Sequence, residues 1–442
     1  MEYFEKVILT KKGCLKMKRI CIIGLGYIGL PTAAVFANNG WDVQGIDINP
    51  RAVDAINKGT IHIEEVGLEQ LVSKAVQEGH LKASNKLEPA DCFIIAVPTP
   101  INDNNTANLE YVKNACKSIL EVVKNGDTII VESTIPPRTM DDVVAPIFAT
   151  SKFQVGHDIY LAHCPERVLP GRIVIEVVEN DRIIGGINDA STDAAADVYA
   201  TFVRGKLLKT SALSAEMSKL MENTYRDVNI ALANELVKIS NKLGIDALEV
   251  IGLANHHPRV NLHLPGPGVG GHCLAVDPYF IMEKAPVESQ LISNARSINN
   301  SMPDFVVEQV MKLIESQKSK IAILGLTYKG NIDDIRESPA MDIVEKLLNV
   351  GFSLGIHDPH VNQENLKFKN SSFAEAIEDA ECILVLTDHN EFKELNEKVI
   401  IDNMKYPQIL DTKNCVNIKS EKIVYVNFGN LSEKNKFIAV ES

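Results

Sequence analysis

Short apolar runs, several of them ended by glycine or proline, recur towards both ends of the chain and set its organisation. Residues 19–23 (Arg-Ile-Cys-Ile-Ile) have the near-continuous apolar character of a strand buried on both faces. They lead into Gly24-Leu25-Gly26-Tyr27-Ile28-Gly29, then into a helical pattern that runs through Phe36 to Gly40. Further strands are predicted at 42–46, 91–97, 128–131 and 159–163. From 211 to 243 the spacing predicts one long helix, closed by Gly244. Leu213, Met217, Leu220, Met221, Val228, Leu232, Leu236 and Ile239 form its broad apolar face. Lys219, Asn223 and Arg226 lie within roughly 60° of one another on the opposite face. A helix this long is expected to pass between domains, so its polar face need not meet water.

The second half of the chain repeats the first. Residues 287–300 read as a helix and Ser301-Met302-Pro303 as a hinge. The strand run 320–324 is then followed by Gly325-Leu326-Thr327-Tyr328-Lys329-Gly330, which parallels the first strand and glycine turn. Residues 351–358 parallel 40–47, and 380–387 parallel 90–97. The fold class is therefore α/β: two Rossmann-like parallel-sheet domains joined by a long central helix and a small helical domain. The expected division is an N-terminal extension at 1–16, a first Rossmann domain at 17–210, a central helical domain at 211–302 and a second Rossmann-like domain at 303–442.

Bulk properties narrow the function without naming it. The 442 residues suffice for two or three domains, and 45% hydrophobic with 23% charged is ordinary globular composition. With 45 basic against 58 acidic residues the net charge is −13, which argues against nucleic acid or a membrane surface as partner. No apolar run reaches the ~18 residues of a membrane span, and the only apolar core before Met17, Val7-Ile8-Leu9, is too short for a signal peptide. Eight scattered cysteines without a C-x-x-C pair fit reduced thiols and a cytoplasmic location. Cys21, Cys92 and Cys382 fall inside strand runs and read as core.

The candidate chemistry gathers at turns. Gly24, Gly26 and Gly29, with Tyr27 and Ile28 between them, stand between a strand and a helix, the context in which G-x-G-x-x-G binds a dinucleotide. Asp47 ends the second strand, where a carboxylate accepts ribose hydroxyls and repels a 2′-phosphate; NAD is favoured over NADP, although Arg51 stands four residues on. Thr99, Thr134 and Glu166 follow the carboxyl ends of later strands, the edge at which parallel sheets bind ligands. In the second glycine turn a threonine replaces the second glycine, which suits a different phosphorylated ligand with Lys329 and Arg336 as phosphate partners. The loop 264–277 holds one thiol, Cys273, directly after Gly270-Gly271-His272 and four residues before Asp277. Four histidines near it (256, 257, 263 and 272) match no zinc spacing, and no metal is expected.

From about residue 18 to about 415 the chain resembles the UDP-glucose/GDP-mannose dehydrogenase family. The motifs that carry the likeness are GLGYIGLP at Gly24, the segment from Ala215-Glu216-Met217-Ser218-Lys219 to Asn223, and the Gly270-Gly271-His272-Cys273 loop ending at Asp277. The resemblance implies an NAD-dependent enzyme that oxidises the C6 alcohol of a nucleotide sugar to a carboxylate, with the second Rossmann-like domain binding UDP-sugar. PERVLPG at Pro165 and His257-Pro258-Arg259-Val260-Asn261 point within the family to the branch acting on UDP-N-acetyl-D-mannosamine, with UDP-N-acetylglucosamine or another UDP-hexose as the alternative. Pro170 stands where the UDP-glucose branch carries a second glutamate, so that residue's water-activating role does not transfer, and Glu166 remains. By resemblance Cys273 is the nucleophile, Lys219 and Asn223 serve the reacting oxygen, Asp277 orients Lys219 and water, and Thr134 completes the water site. Arg167, Val168, Arg226, His257, Arg259, Gly270, Tyr328, Lys329, Arg336 and Lys413 match positions that contact the UDP-sugar. A homodimer or larger homo-oligomer through the central helix is implied as well. The rivals are a two-electron β-hydroxyacid dehydrogenase, which needs neither the thiol nor the repeat, and a non-catalytic NAD-binding sensor, which needs none of Lys219, Asn223 and Cys273.

Overall fold

A computed structural model describes residues 18–432 except 170, 315 and 317. The extension 1–16, Pro170 and the last ten residues lie outside the described residues. The chain forms two compact units: one comprises the residues up to Met221 together with Tyr279–Lys284, the other Glu222–Pro278 and the chain from Ala285 onward.

The first unit is built on eight strands: β1 (Arg19–Ile23), β2 (Asp42–Ile46), β3 (Leu81–Ser84), β4 (Cys92–Ile95), β5 (Thr128–Val131), β6 (Tyr160–His163), β7 (Arg182–Gly186) and β8 (Leu207–Ser211). Their order is β3-β2-β1-β4-β5-β6-β7-β8. The six strands from β3 to β6 are parallel; β7 runs antiparallel to β6, and β8 runs parallel to β7. The reversal pairs the end of β7 with the carboxyl end of β6, His163 opposite Gly185, so the start of β7 extends past that end. Isoleucine, valine and cysteine fill both faces of the central strands, and Cys21 and Cys92 are core residues as their runs predicted. Each such aliphatic side chain contributes about 1.5–3 kcal/mol by leaving water.

The second unit holds β9 (Lys320–Leu324), β10 (Ser353–His357), β11 (Cys382–Val385), β12 (Gln408–Asp411) and β13 (Val424–Asn427), all parallel in the order β10-β9-β11-β12-β13. Cys382 is buried within it. The segment read as a hinge is a corner between two helices, Gln290–Asn300 and Met302–Leu313. Ser301 donates its N–H to Ser297 O and accepts 2.6 Å from Lys238 Nζ, while Met302 is fully buried. Pro303 sits in the first helical turn, where its missing N–H leaves no bond unmade.

The long helix spans Ala212–Leu243 and ends at Gly244 with φ +74°. Its apolar face is in large part the exposed one: Leu213, Met221, Leu232 and Ile239 meet solvent, as does Tyr225. The buried face carries Glu216, Lys219, Thr224, Asp227, Asn234 and Ser240 among small residues. Several of these polar groups have specific partners, which is what permits their burial. Glu216 accepts from the Arg138 and Met140 N–H groups at 2.6 and 2.8 Å. Asp227 accepts from Arg296 Nη1 at 2.6 Å and from Asn299 Nδ2 at 2.8 Å. Asn234 donates to Asn299 Oδ1 and accepts from Gly266 N–H, both at 2.9 Å, and so pins the start of the glycine loop.

Candidate active site

The first unit presents the dinucleotide turn. Gly24 has φ +92°, and a Cβ there would lie 2.6 Å from Ala96 O; a Cβ on Gly29 would lie 1.7 Å from Gly24 O. Those two glycines are required by packing alone. A Cβ on Gly26 would meet nothing within 4 Å, so the chain itself does not demand glycine there and the space is open to a ligand. Asp47 accepts from the Leu25 N–H at 2.9 Å and from the Asn49 N–H at 2.8 Å, and remains partly accessible. Tyr27 and Arg51 are exposed and Ile28 half-buried. Thr99 Oγ1 is a buried hydroxyl with no partner among the described residues, at the carboxyl end of β4. An open glycine, a carboxylate at the β2 edge and an orphan hydroxyl are the features an NAD cradle requires, and the residues fit that cofactor.

Past β5 and β6 the same unit carries Glu132, Thr134, Glu166, Arg167 and Val168. Arg182 Nη1 donates to Glu132 Oε1 at 2.9 Å and Nη2 to Glu166 Oε2 at 2.5 Å. Glu166 Oε1 accepts from the Arg167 N–H at 2.8 Å, and the Arg167 side chain donates to Asp181 O. Val168 packs on the core and Thr134 is half-buried. Lys219 is buried on the long helix. Burial holds the neighbouring His163 imidazole down at about 3, with a smaller push in the same direction from the Lys219 charge. Sequence reading missed Arg182 and the role of Glu132: their contacts span 16 and 50 residues, and no local pattern announces them.

The second unit presents the thiol. Asn223, one helical turn beyond Lys219, donates to Asp277 Oδ2 at 2.6 Å, and the Asp277 N–H donates to Cys273 O at 2.9 Å. Helix and thiol-bearing turn are thereby tied together, with Cys273 exposed and Asp277 buried. Gly270 is required sterically, since a Cβ there would lie 2.3 Å from Glu337 O and 2.8 Å from both Pro339 Cδ and Tyr328 Cβ. This brings Tyr328 against the glycine loop, beside His272, whose Nε2 lies 3.3 Å from Asp334 Oδ2. Lys413 Nζ lies 3.7 Å from where a Gly266 Cβ would stand. Lys329 is exposed, and Arg336 is exposed with Asp334 at 2.8 Å. Arg226, His257 and Arg259 are exposed; the last two sit on a loop clasped by Asn255, and no contact among the described residues brings them to Gly270.

The two glycine turns share one device with different outcomes. Leu326 N–H donates to Asp358 Oδ2 at 2.7 Å, as Leu25 N–H does to Asp47. Asp358, unlike Asp47, is buried and also bonded to His389 at 3.1 Å, so it is not available to a ribose.

Fold, turn geometry and thiol loop together define a nucleotide-sugar dehydrogenase, and the chain belongs to the UDP-glucose/GDP-mannose dehydrogenase family. That family's NAD binding domain matches residues 18–203, its central domain 213–301 and its UDP binding domain 322–418. Among relatives, the UDP-N-acetyl-D-mannosamine dehydrogenase of Methanocaldococcus jannaschii is 49% identical over 406 residues, covering 90% of this chain and 93% of that one. The enzyme of the same name from Campylobacter jejuni is 47% identical over 402 residues, covering 87% and 99%. The structure of the UDP-N-acetyl-mannosamine dehydrogenase Cap5O from S. aureus superposes with a TM-score of 0.87 at 52% identity, covering 94% of this chain and 99% of that one. The protein is thus an NAD-dependent oxidoreductase, and among the described residues no helix is long and apolar enough to cross a membrane.

Proposed function

We propose that the protein oxidises UDP-N-acetyl-D-mannosamine at C6 to UDP-N-acetyl-D-mannosaminuronate through an adduct on Cys273. The observation that carries the reading is the Asn223–Asp277 bond, which ties the lysine-bearing helix to the turn that presents the thiol. NAD held by Gly26, Asp47 and Thr99 would supply the hydride acceptor for each of the two oxidations at C6. Lys219 takes the hydroxyl proton and Asn223 donates to the same oxygen. The Cys273 thiolate adds to the aldehyde carbon, so the intermediate stays attached; the adduct's oxidation product is a thioester. Water then adds to the thioester carbonyl, Glu166 accepts a proton from it, the C–S bond breaks and the Cys273 thiolate leaves. Thr134 holds that water and Asp277 keeps Lys219 and the water oriented.

In this reading residues 17–210 bind NAD with Gly26, Asp47 and Thr99, residues 211–302 supply Lys219, Asn223 and Cys273, and residues 303–442 bind UDP-sugar. Tyr328, Lys329, Arg336 and Lys413 contact the nucleotide, with Arg167, Val168, Arg226, His257 and Arg259 as further contacts, while Gly270 lets the thiol loop pack closely on Glu337, Pro339 and Tyr328. Copies associate through the exposed apolar stripe of the long helix. The seven described cysteines are all free thiols, and a cytoplasmic location is part of this reading.

NADH release measured over a panel of UDP-hexoses tests the substrate. The expected result is a kcat/KM for UDP-N-acetyl-D-mannosamine at least about 100-fold above those for UDP-glucose and UDP-N-acetylglucosamine. An equal or better rate with either sugar contradicts the assignment. No NADH from any sugar would favour a non-catalytic NAD sensor.

A further inference from the structure

Arg182 and Glu132 take no part in the chemistry above, yet among the described residues of the first unit no ion pair is more completely buried, with side chains 4% and 0% exposed. Their place follows from sheet register. Because His163 of β6 pairs antiparallel with Gly185 of β7, three residues onward along one strand and three back along the other set Glu166 opposite Arg182. The guanidinium bridges Glu166 and Glu132 at 2.5 and 2.9 Å and lies 4.4 Å from the Tyr199 ring centre. The Tyr199 hydroxyl donates to Glu132 Oε1 at 2.6 Å, and Thr32, on the helix that follows the dinucleotide turn, reaches Glu132 Oε2 at 3.5 Å. Burying three ions carries a desolvation cost of several kcal/mol per ion, and apolar packing would serve stability as well.

We propose that Arg182 and Glu132 are positioning residues for Glu166: Arg182 fixes its carboxylate, and Glu132 supplies the second negative charge that lets Glu166 take up a proton during thioester hydrolysis. The inference rests on Glu166 being the acceptor of that proton. Fully ionised, the cluster holds one cation and two anions; a proton arriving on Glu166 brings it to neutrality. Without Glu132 the same proton would leave the Arg182 charge unbalanced in a buried site. Glu166 is faced by Arg182 from β7, by Glu132 just past β5, and by Cys164 and Arg167 from its own segment, while Tyr199 of the Asp189–Tyr199 helix reaches the cluster through Glu132 and Arg182. Burial keeps Tyr199 and Cys164 in their neutral forms, and it pushes the Glu132 carboxyl up to about 7 against the pull of Arg182, so Glu132 carries the second negative charge above about that pH.

The test is the pH dependence of thioester hydrolysis, read as the slow phase after the pre-steady-state NADH burst. In Glu132→Gln a proton on Glu166 is less favoured, so the acid limb moves about one pH unit lower, and hydrolysis above it slows about tenfold. In Arg182→Gln two carboxylates face each other without a cation, so the limb moves about one unit higher. Arg182→Lys returns it towards the wild-type position, and carries the test together with Glu132→Gln if the glutamine variant at 182 does not fold. KM values for sugar and NAD stay within about threefold. Shifts of opposite sign support the inference, because a merely structural role would lower stability in both variants and leave the limb in place. Glu166→Gln separates the two levels. If it hydrolyses the thioester at the wild-type rate, the role given to Glu166 fails. If it is slow while Glu132→Gln and Arg182→Gln leave the limb unmoved, or move it in one direction, only the positioning role fails.

Discussion

Gly26 and Gly29 belong to one motif but are glycine for different reasons, and one methyl group distinguishes them. At Gly29 the added Cβ would overlap Gly24 O, whereas at Gly26 it meets only open space. Gly29→Ala is therefore expected to destabilise the first unit by more than about 2 kcal/mol. Gly26→Ala should change stability by less than about 0.5 kcal/mol while weakening NAD at least about tenfold, since the methyl occupies the space the dinucleotide enters. Thermal unfolding and calorimetric NAD titration check both; normal NAD affinity in Gly26→Ala would remove the turn from the cofactor site. Asp47 and Asp358 make a similar contrast, since both accept the second amide of a glycine turn and only Asp47 keeps an accessible carboxylate.

At the scale of elements, the long helix turns an exposed apolar stripe outward, with Tyr225, Leu232, Ile239 and Leu243 spaced by seven, seven and four residues. If that stripe joins copies, light scattering finds a dimer or larger for the wild type and a monomer with unchanged helicity for Leu232→Glu/Ile239→Glu. A monomeric wild type at micromolar concentration contradicts it. The stripe also shows where sequence was legible and where it was not. Buried strands announced themselves, because both faces of 19–23 or 382–385 must be apolar. The length of the helix was equally plain, closed by Gly244. Which face of it is buried was not, because Glu216, Asp227 and Asn234 are buried by virtue of partners far away in sequence. The Ser301 corner misled for a related reason: Met-Pro opens a helix as readily as it breaks one, and only the burial of Met302 decides. In the candidate site, Cys273, Lys219 and Asp277 stood out through the resemblance to a known family, whereas Arg182 became visible only once β7 was seen to run against β6.

At the scale of the whole molecule, one chain carries two glycine-turn domains and a single exposed thiol among its seven described cysteines, the rest buried or partly so. That economy suits a reaction in which the same carbon is oxidised twice without release. The most direct measurement is the NADH yield with UDP-N-acetyl-D-mannosamine limiting, for the wild type and for Cys273→Ala. Two NADH per sugar, with an aldehyde scavenger capturing nothing, and loss of complete turnover in the variant are the predicted results. One NADH per sugar in the wild type, or two from Cys273→Ala, would contradict the covalent route.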